Sequence, residues 1–464
     1  MKILLRIFGA LLLVVGMLIL GLWLKPPALL RVGANYSAKI VCSNVFLAGR
    51  DPDEVLRVDV QAPGIALLRL MQVSVNSEQG VVRAGFLKFI GNGFAQWHPG
   101  KGCTVAPDGK IDADPGPMRE PAPAAVASSA AARSPSDAPW PDGSSVKTNA
   151  AIDRVLKNDA LAGPGVRAIV VVDHGRIVAE RYAPGFTAST PLLGWSMTKT
   201  VMAGVIGMLV KDGKLKLDQA GLWPGATDGR EHIRVTDLLA MSSGLQWNEA
   251  YGAVSDVTGM LYLQPDMAAF ARAQPLAHPV GEVWSYSSGT ALILSRIAQE
   301  SAGEDLLGFI NTRLFAPLGI TSATIEPDEH GTPVGSSYMY ATARDWARYA
   351  QFLLQDGVWQ GQELLPAGYV AMMATPVPAS DGQYGKGQTW LWGSDAATPH
   401  VNPDTAFGIP ADTFWMSGHD GQNVAVIKSR QLVIVRLGLT PYSAGYSPQP
   451  LVKAILEATQ TASP

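Results

Sequence analysis

The chain has 464 residues, of which 47% are apolar and only 16% charged, and 36 Lys and Arg against 39 Asp and Glu leave a net charge of −3. That balance excludes nucleic acid as the main partner, because neutralising phosphates needs a basic surplus. Two cysteines are too few for a disulfide scaffold or a Cys-rich zinc module, and the seven histidines form no H-x-x-x-H or H-x-H pair, which excludes a helical zinc-hydrolase site.

The first element is an apolar run from Ile7 to Leu24, preceded by Lys2 and Arg6 and interrupted by no charge. It is long for a signal-peptide core and just long enough to span a bilayer. Lys25-Pro26-Pro27 follows it, with no A-x-A-like cleavage site and no lipidation cysteine. Positive residues before the span favour a cytoplasmic N-terminus and an exported remainder. The expectation is an inner-membrane anchor over 1–24 with the rest in the periplasm; a cleaved signal and a secreted protein is the alternative. Residues 25–105 form a small β-rich module, with a strand over Leu56–Val60 and a hairpin of Gln72–Val75 and Val81–Ala84. Cys42 and Cys103 fall in this module, and in an oxidising compartment they are expected to pair. Closing a loop of about 60 residues stabilises by roughly 4 kcal/mol in the chain-entropy account. Residues 106–147, rich in Pro, Ala, Ser, Asp and Gly, read as a linker.

From residue 148 to 464 the texture is globular. Arg167–Asp173 and Ile177–Tyr182 read as strands turning at His174-Gly175-Arg176. Met197–Val210, apolar nearly all round, suits a helix packed on every side. Helices follow over Thr236–Met241, Leu306–Leu314 and Thr342–Leu354. Val424–Lys428 and Leu432–Arg436 form a second strand pair, and Leu451–Thr459 a closing helix. Strands at both ends with helices between read as an α/β domain whose sheet is assembled from distant parts of the chain.

Three motifs in this region carry chemistry. Ser196-Met-Thr-Lys199 opens the buried helix, and i and i+3 share a helix face, so the lysine amine reaches the serine hydroxyl. The helix N-terminus adds free N–H groups suited to an oxyanion. Serine is also a favoured N-cap, and the two roles are compatible. A second S-x-x-K, Ser144-Ser-Val-Lys147, lies in the linker with no helix to align it. Tyr286 stands in a small polar turn, Trp284-Ser-Tyr286-Ser-Ser288-Gly289, where a phenol beside a lysine is fit to exchange protons with a serine and a leaving group. Gly418-His419-Asp420-Gly421-Gln422 leads into the last strand pair, and its glycines allow a close backbone approach to substrate.

These motifs, in this order, resemble the serine β-lactamase and penicillin-recognising superfamily, and more closely its class C-like branch with family VIII esterases and 6-aminohexanoate-dimer hydrolases. The resemblance covers about two-thirds of the chain; it includes Val235-Thr-Asp-Leu-Leu-Ala-Met-Ser-Ser-Gly244 and Gly335-Ser-Ser-Tyr-Met-Tyr340. It implies a β-lactamase-like α/β sandwich with a helical subdomain. It implies Ser196 as the nucleophile of an acyl-enzyme, Lys199 and Tyr286 sharing base and acid work, and the backbone N–H groups of Ser196 and Gln422 as the oxyanion hole. His419, Gly421 and Tyr251 would border the substrate, and no cofactor or metal is needed. The third motif has His419 where the family's β-lactamases carry lysine, and neutral histidine offers no permanent charge to a penicillin carboxylate. The second has Ser288 where they carry asparagine. Both departures favour small esters or linear amides. The competing expectations are a β-lactamase or D-alanyl-D-alanine peptidase and, in a different class, a non-catalytic envelope module that binds an acyl or peptide ligand.

Overall fold

In the computed structural model the described residues are 2–112, 137–303, 305–394 and 401–460. They fall into two compact units that interleave along the chain. The first holds the described residues of Met1–Pro121 with Asn248–Asp266 and Asp328–His330; the second holds those of Ala122–Trp247, Met267–Pro327 and Gly331–Pro464. Most of the expected linker, 113–136, lies outside the described residues.

In the first unit, α1 (Lys2–Leu24) contains one stretch, Arg6–Leu24, long and apolar enough to cross a membrane, with a mean hydropathy of 2.7. Next comes α2 (Ala28–Phe46), then a short α3 (Pro52–Val55) that runs on as a π-helical turn to Gln61. An antiparallel sheet follows in the order β1 (Met71–Asn76), β2 (Val81–Phe86), β3 (Ile90–His98) and β4 (Gly102–Val105). The hairpin of β1 and β2 is where the sequence places it, and Asn76 Oδ1 accepts from the Gln79 N–H across its turn. Two expectations are corrected. Leu56–Val60 is helical, not a strand: the Asp51 carboxylate caps the Glu54 N–H at 2.8 Å and Pro52 sits in the first turn, so helix-start chemistry overrides the alternating pattern. The module is also not simply β-rich, because α2 packs on the sheet with Ala34, Ala38, Ile40 and Val41 buried. Gly93 lets that helix lie on the sheet, where a Cβ would fall 2.3 Å from the Ala34 carbonyl carbon. Asn35 of α2 accepts from the Phe94 N–H and donates to the Tyr262 carbonyl in a helix over Asp256–Leu263. Cys42 of α2 and Cys103 of β4 form a disulfide, with Cα atoms 6.1 Å apart.

The second unit begins with a segment expected to be linker but packed here. Trp140 is buried, the Arg348 guanidinium lies 5.2 Å over its ring, and Arg348 and Arg176 donate to the Pro141 and Trp140 carbonyls. Then come α4 (Ala150–Leu156), β5 (Val166–Asp173), β6 (Arg176–Tyr182), α5 (Met197–Lys211), α6 (Ser288–Ala302), α7 (Ala343–Leu354), β7 (Thr413–Gly418), β8 (Gln422–Ile427), β9 (Leu432–Gly438) and α8 (Gln449–Gln460). Shorter helical segments lie at Val235–Leu239 and Leu306–Leu318. The sheet is antiparallel, in the order β7-β8-β9-β5-β6, so strands from opposite ends of the domain meet at β9 and β5. Ile169, Val171, Ala425, Ile427, Leu432 and Ile434 face α4 and α8, while α7 packs on the same strands from the other side. Both faces are covered, which is why these strands read as continuous apolar runs.

Candidate active site

The turn into α5 is set by close packing. Gly194 passes beneath the Trp346 ring, where a Cβ would fall 2.2 Å from Cζ2. Trp195 then takes a left-handed backbone, φ 48°, and its ring is buried. Ser196 follows as the N-cap, half-buried between buried neighbours. The N–H groups of Met197, Thr198 and Lys199 donate back to the carbonyls of Gly194, Trp195 and Ser196. Among the described residues, that of Ser196 has no acceptor.

The body of α5 is held by two tyrosines that its glycines admit. The Tyr349 hydroxyl donates to the Thr200 carbonyl and that of Tyr369 to the Ala203 carbonyl. A Cβ at Gly204 would meet the Tyr349 oxygen at 2.5 Å, and one at Gly207 the Tyr369 ring at 2.6 Å. Burial drives both phenol pKa values upward, so each hydroxyl keeps its proton and stays a donor.

Lys199 is 1% exposed, and its Nζ lies 3.0 Å from Ser196 Oγ, 3.0 Å from Ser288 Oγ and 2.9 Å from the Ser336 carbonyl. An ammonium has three protons and no lone pair, so all three acceptors are matched when it is charged. When neutral, it donates to Ser288 and Ser336 and turns its lone pair to the Ser196 hydroxyl. The Tyr286 ring centroid is 4.9 Å from Nζ. Tyr286 belongs to an aromatic cluster with Trp284, Tyr384 and Trp390, whose centroids lie 5.1 to 6.4 Å apart. Trp390 is fixed by paired backbone bonds with Trp415 at the free edge of β7.

The third motif forms the loop between β7 and β8. Gly418 packs on the α5 turn, where a Cβ would fall 2.2 Å from the Gly194 carbonyl oxygen. The His419 ring meets that of Trp195 edge-on at 5.7 Å, and its Nδ1 lies 3.0 Å from Asp420 Oδ1. Gly421 has φ 76°, and Arg436 Nη1 donates to its carbonyl at 2.8 Å. That guanidinium is buried, stacked on Tyr446 and bonded to the carbonyls of Ala162 and Pro164, and burial lowers its pKa. The Gln422 side chain donates to the carbonyls of His419, Asp420 and Gly438 and accepts from the Gly438 N–H. The loop is therefore tied to β9 by a residue on each strand.

The structure thus brings together Ser196, Lys199 and Tyr286, and seats His419 and Gly418 against the same α5 turn. Tyr251 falls in the first compact unit, where a Cβ on its neighbour Gly252 would lie 3.7 Å from Ile65. The sequence reading missed Ser336 and Arg436 and gave Ser288 no part in holding Lys199. Ser288 sits two residues after the tyrosine, and Arg436 is the one charge in an apolar strand; either fact was a signal.

The Beta-lactamase family pattern matches residues 156–450. The chain is 26% identical over 226 residues to a 6-aminohexanoate-dimer hydrolase from Paenarthrobacter ureafaciens, covering 44% of this chain and 55% of that protein. It spans about half the length of the curated relatives it matches. Among solved structures, a penicillin-binding protein homologue from Caulobacter crescentus superposes with a TM-score of 0.51 at 18% identity, over 67% of this chain and 97% of that one. A β-lactamase/D-alanine carboxypeptidase from Pseudomonas syringae gives 0.50 at 18% identity, over 68% and 100%. At such identities these two establish the fold alone.

Proposed function

The chain belongs to the beta-lactamase family of serine hydrolases, and from that premise we propose that it hydrolyses small esters or linear amides through an acyl-enzyme on Ser196. The observation that carries this is the lysine whose three acceptors include the serine hydroxyl. Neutral Lys199 takes the Ser196 proton as Oγ attacks the substrate carbonyl carbon. A C–O bond forms, and the oxyanion is met by the Ser196 and Gln422 N–H groups. The tetrahedral centre then collapses, and the bond to the leaving oxygen or nitrogen breaks. That atom takes a proton relayed from Lys199 through the Tyr286 hydroxyl. Water enters and gives a proton to the same pair as its oxygen bonds to the acyl carbon; the bond from that carbon to Oγ then breaks, Oγ takes the proton back from Lys199, and the acid leaves.

Two features favour a neutral substrate. His419, paired with Asp420, stands where the resembling β-lactamases carry a lysine for the substrate carboxylate. The cluster around Tyr286 is built of aromatic rings, Trp284, Tyr384 and Trp390. Helix α1 anchors the protein in the cytoplasmic membrane with the catalytic unit outside, which agrees with the Cys42–Cys103 disulfide.

The test is turnover of p-nitrophenyl acyl esters, linear amides and nitrocefin by the full chain, alongside fluorophosphonate labelling read by intact mass. Ester or amide turnover with adduct on Ser196, both lost in Ser196→Ala, is the expected result. Full activity in the variant overturns the nucleophile. Nitrocefin as the preferred substrate overturns the substrate class. A chain neither labelled nor active overturns catalysis in favour of a binding module.

A further inference from the structure

The first unit exposes an apolar tip that catalysis does not use. The turn from β2 to β3 is Leu87-Lys88-Phe89, with Leu87 and Phe89 44% and 41% exposed. Leu87 and Lys88 have φ of 52° and 78°. Turns of this backbone ordinarily take Gly or Asn, yet this one displays a leucine and a lysine. Leu70, 48% exposed, joins the patch, because its carbonyl accepts the Leu87 N–H at 3.1 Å.

The position of the tip gives it meaning. Gly91, two residues past Phe89, lies on the first turn of α2, where a Cβ would be 3.2 Å from the Leu30 backbone. Helix α2 begins at Ala28, and α1 ends at Leu24. Four residues reach at most roughly 14 Å, so the tip stands beside the point where the chain leaves the apolar helix. The charges agree. Residues 24–34, 62–71 and 81–93 contain Lys25, Arg31, Arg69, Arg83 and Lys88 and no Asp or Glu, in a chain of net charge −3. Lys25, Arg69 and Lys88 are exposed around the apolar side chains.

We propose that Leu70, Leu87 and Phe89 form a second membrane contact, inserting into the headgroup–acyl boundary of an anionic bilayer beside α1. Apolar side chains flanked by snorkelling basic ones are the composition of an interfacial membrane surface. The turn leads into β3, which α1 touches, and the patch's basic rim complements anionic headgroups. The proposal rests on the membrane reading of α1, and the test separates the two.

Full-length chain, with its native cysteines bonded, is given one new cysteine at a time: Leu87→Cys, Phe89→Cys, Leu13→Cys in α1, or Ser77→Cys in the turn at the other end of β2. Each is nitroxide-labelled in nanodiscs of phosphatidylglycerol and phosphatidylcholine, and collision with oxygen is compared with collision with an aqueous nickel chelate. Labels at 87 and 89 are expected to favour oxygen, as at 13, and the label at 77 to favour nickel. Nickel-favoured labels at 87 and 89 with an oxygen-favoured label at 13 overturn the tip and keep the anchor. The reverse pattern keeps the tip and overturns the anchor, and nickel-favoured labels at all four overturn both. Exclusion of both probes at 87 and 89 means a protein partner covers the patch, which also overturns the proposal.

Discussion

When charged, Lys199 has an acceptor within hydrogen-bond distance for each of its three protons, and two of those acceptors come from far along the chain, Ser288 and Ser336. Removing one leaves a buried N–H unmatched in the charged state that the proposed reaction passes through. A hydrogen bond to a charged group is worth about 1.5–3 kcal/mol. Ser288→Ala is therefore expected to lower kcat/KM on a p-nitrophenyl ester by roughly 10- to 100-fold, while Ser288→Asn, which restores an acceptor, recovers most of the loss. Steady-state kinetics on both variants, with circular dichroism to confirm folding, checks this. Equal losses in both would mean that Ser288 acts by packing and not as an acceptor. The chemistry-bearing types were legible from spacing, because Ser196 and Lys199 lie one helical turn apart. The partners that tune the lysine were not, because a serine in a polar turn carries no mark of what it will face after folding. Arg436 was hidden in the same way: its backbone acceptors on Ala162, Pro164 and Gly421 exist only once β9 lies beside β5.

At the scale of elements, the proposed catalysis depends on how closely β7 approaches the start of α5. Gly418 and Gly194 permit that approach, since a Cβ on Gly418 would overlap the Gly194 carbonyl oxygen at 2.2 Å and crowd Gln422 at 3.1 Å. The obstacle is backbone, so relief must come from separating the two elements that carry the proposed oxyanion donors. Misplacement by about 1 Å costs on the order of 100-fold in rate, whereas overpacking costs about 1–3 kcal/mol in stability. Gly418→Ala is expected to lose at least that much activity while still unfolding cooperatively; ester kinetics beside a thermal melt tests it, and unchanged kinetics would show that the gap is not where the oxyanion forms. Four strands of the five-stranded sheet, β5, β6, β8 and β9, and α5 were readable because their patterns are local, whereas β7 was read only as a glycine motif leading into the last strand pair. The helix α2 was not. It is buried on nearly every side and carries Asn35, Ser37, Lys39, Ser43 and Asn44 inside, so neither a 3.6-residue period nor an apolar run betrays it. Its polar side chains are satisfied within the fold: Ser37 by the Gly33 carbonyl, Asn44 by that of Ile40, Lys39 by Ser43. The segment 137–147 misled for the opposite reason. Its composition is that of a linker, and one residue, Trp140, fixes it to α7.

At the scale of the whole molecule, the two units share one chain without being continuous in it, because Asn248–Asp266 and Asp328–His330 fold with the first. Their stabilities have different sources. The second has a double-sided sheet core built from Ile169, Val171, Ile434 and their neighbours. The first packs α2 on a four-stranded sheet, with the helix over Asp256–Leu263 beside α2, and it holds both cysteines. A small core is marginal without a cross-link. The disulfide closes a separation of 61 residues and ties α2 to the last strand of the sheet; for such a loop the chain-entropy account gives roughly 4 kcal/mol. Cys42→Ser with Cys103→Ser is therefore expected to speed amide hydrogen exchange by roughly 100- to 1000-fold across α2 and β1 to β4, allowing for the shortfall often seen against that account. Protection in β5, β8, β9 and α7 should stay as in the parent. Peptide-resolved exchange on the full chain reads both regions in one experiment. An equal loss in both would mean that the second unit's core does not sustain itself; no loss in α2 would mean that contacts such as Asn35 with Tyr262 and Phe94 already hold the first unit without its cross-link.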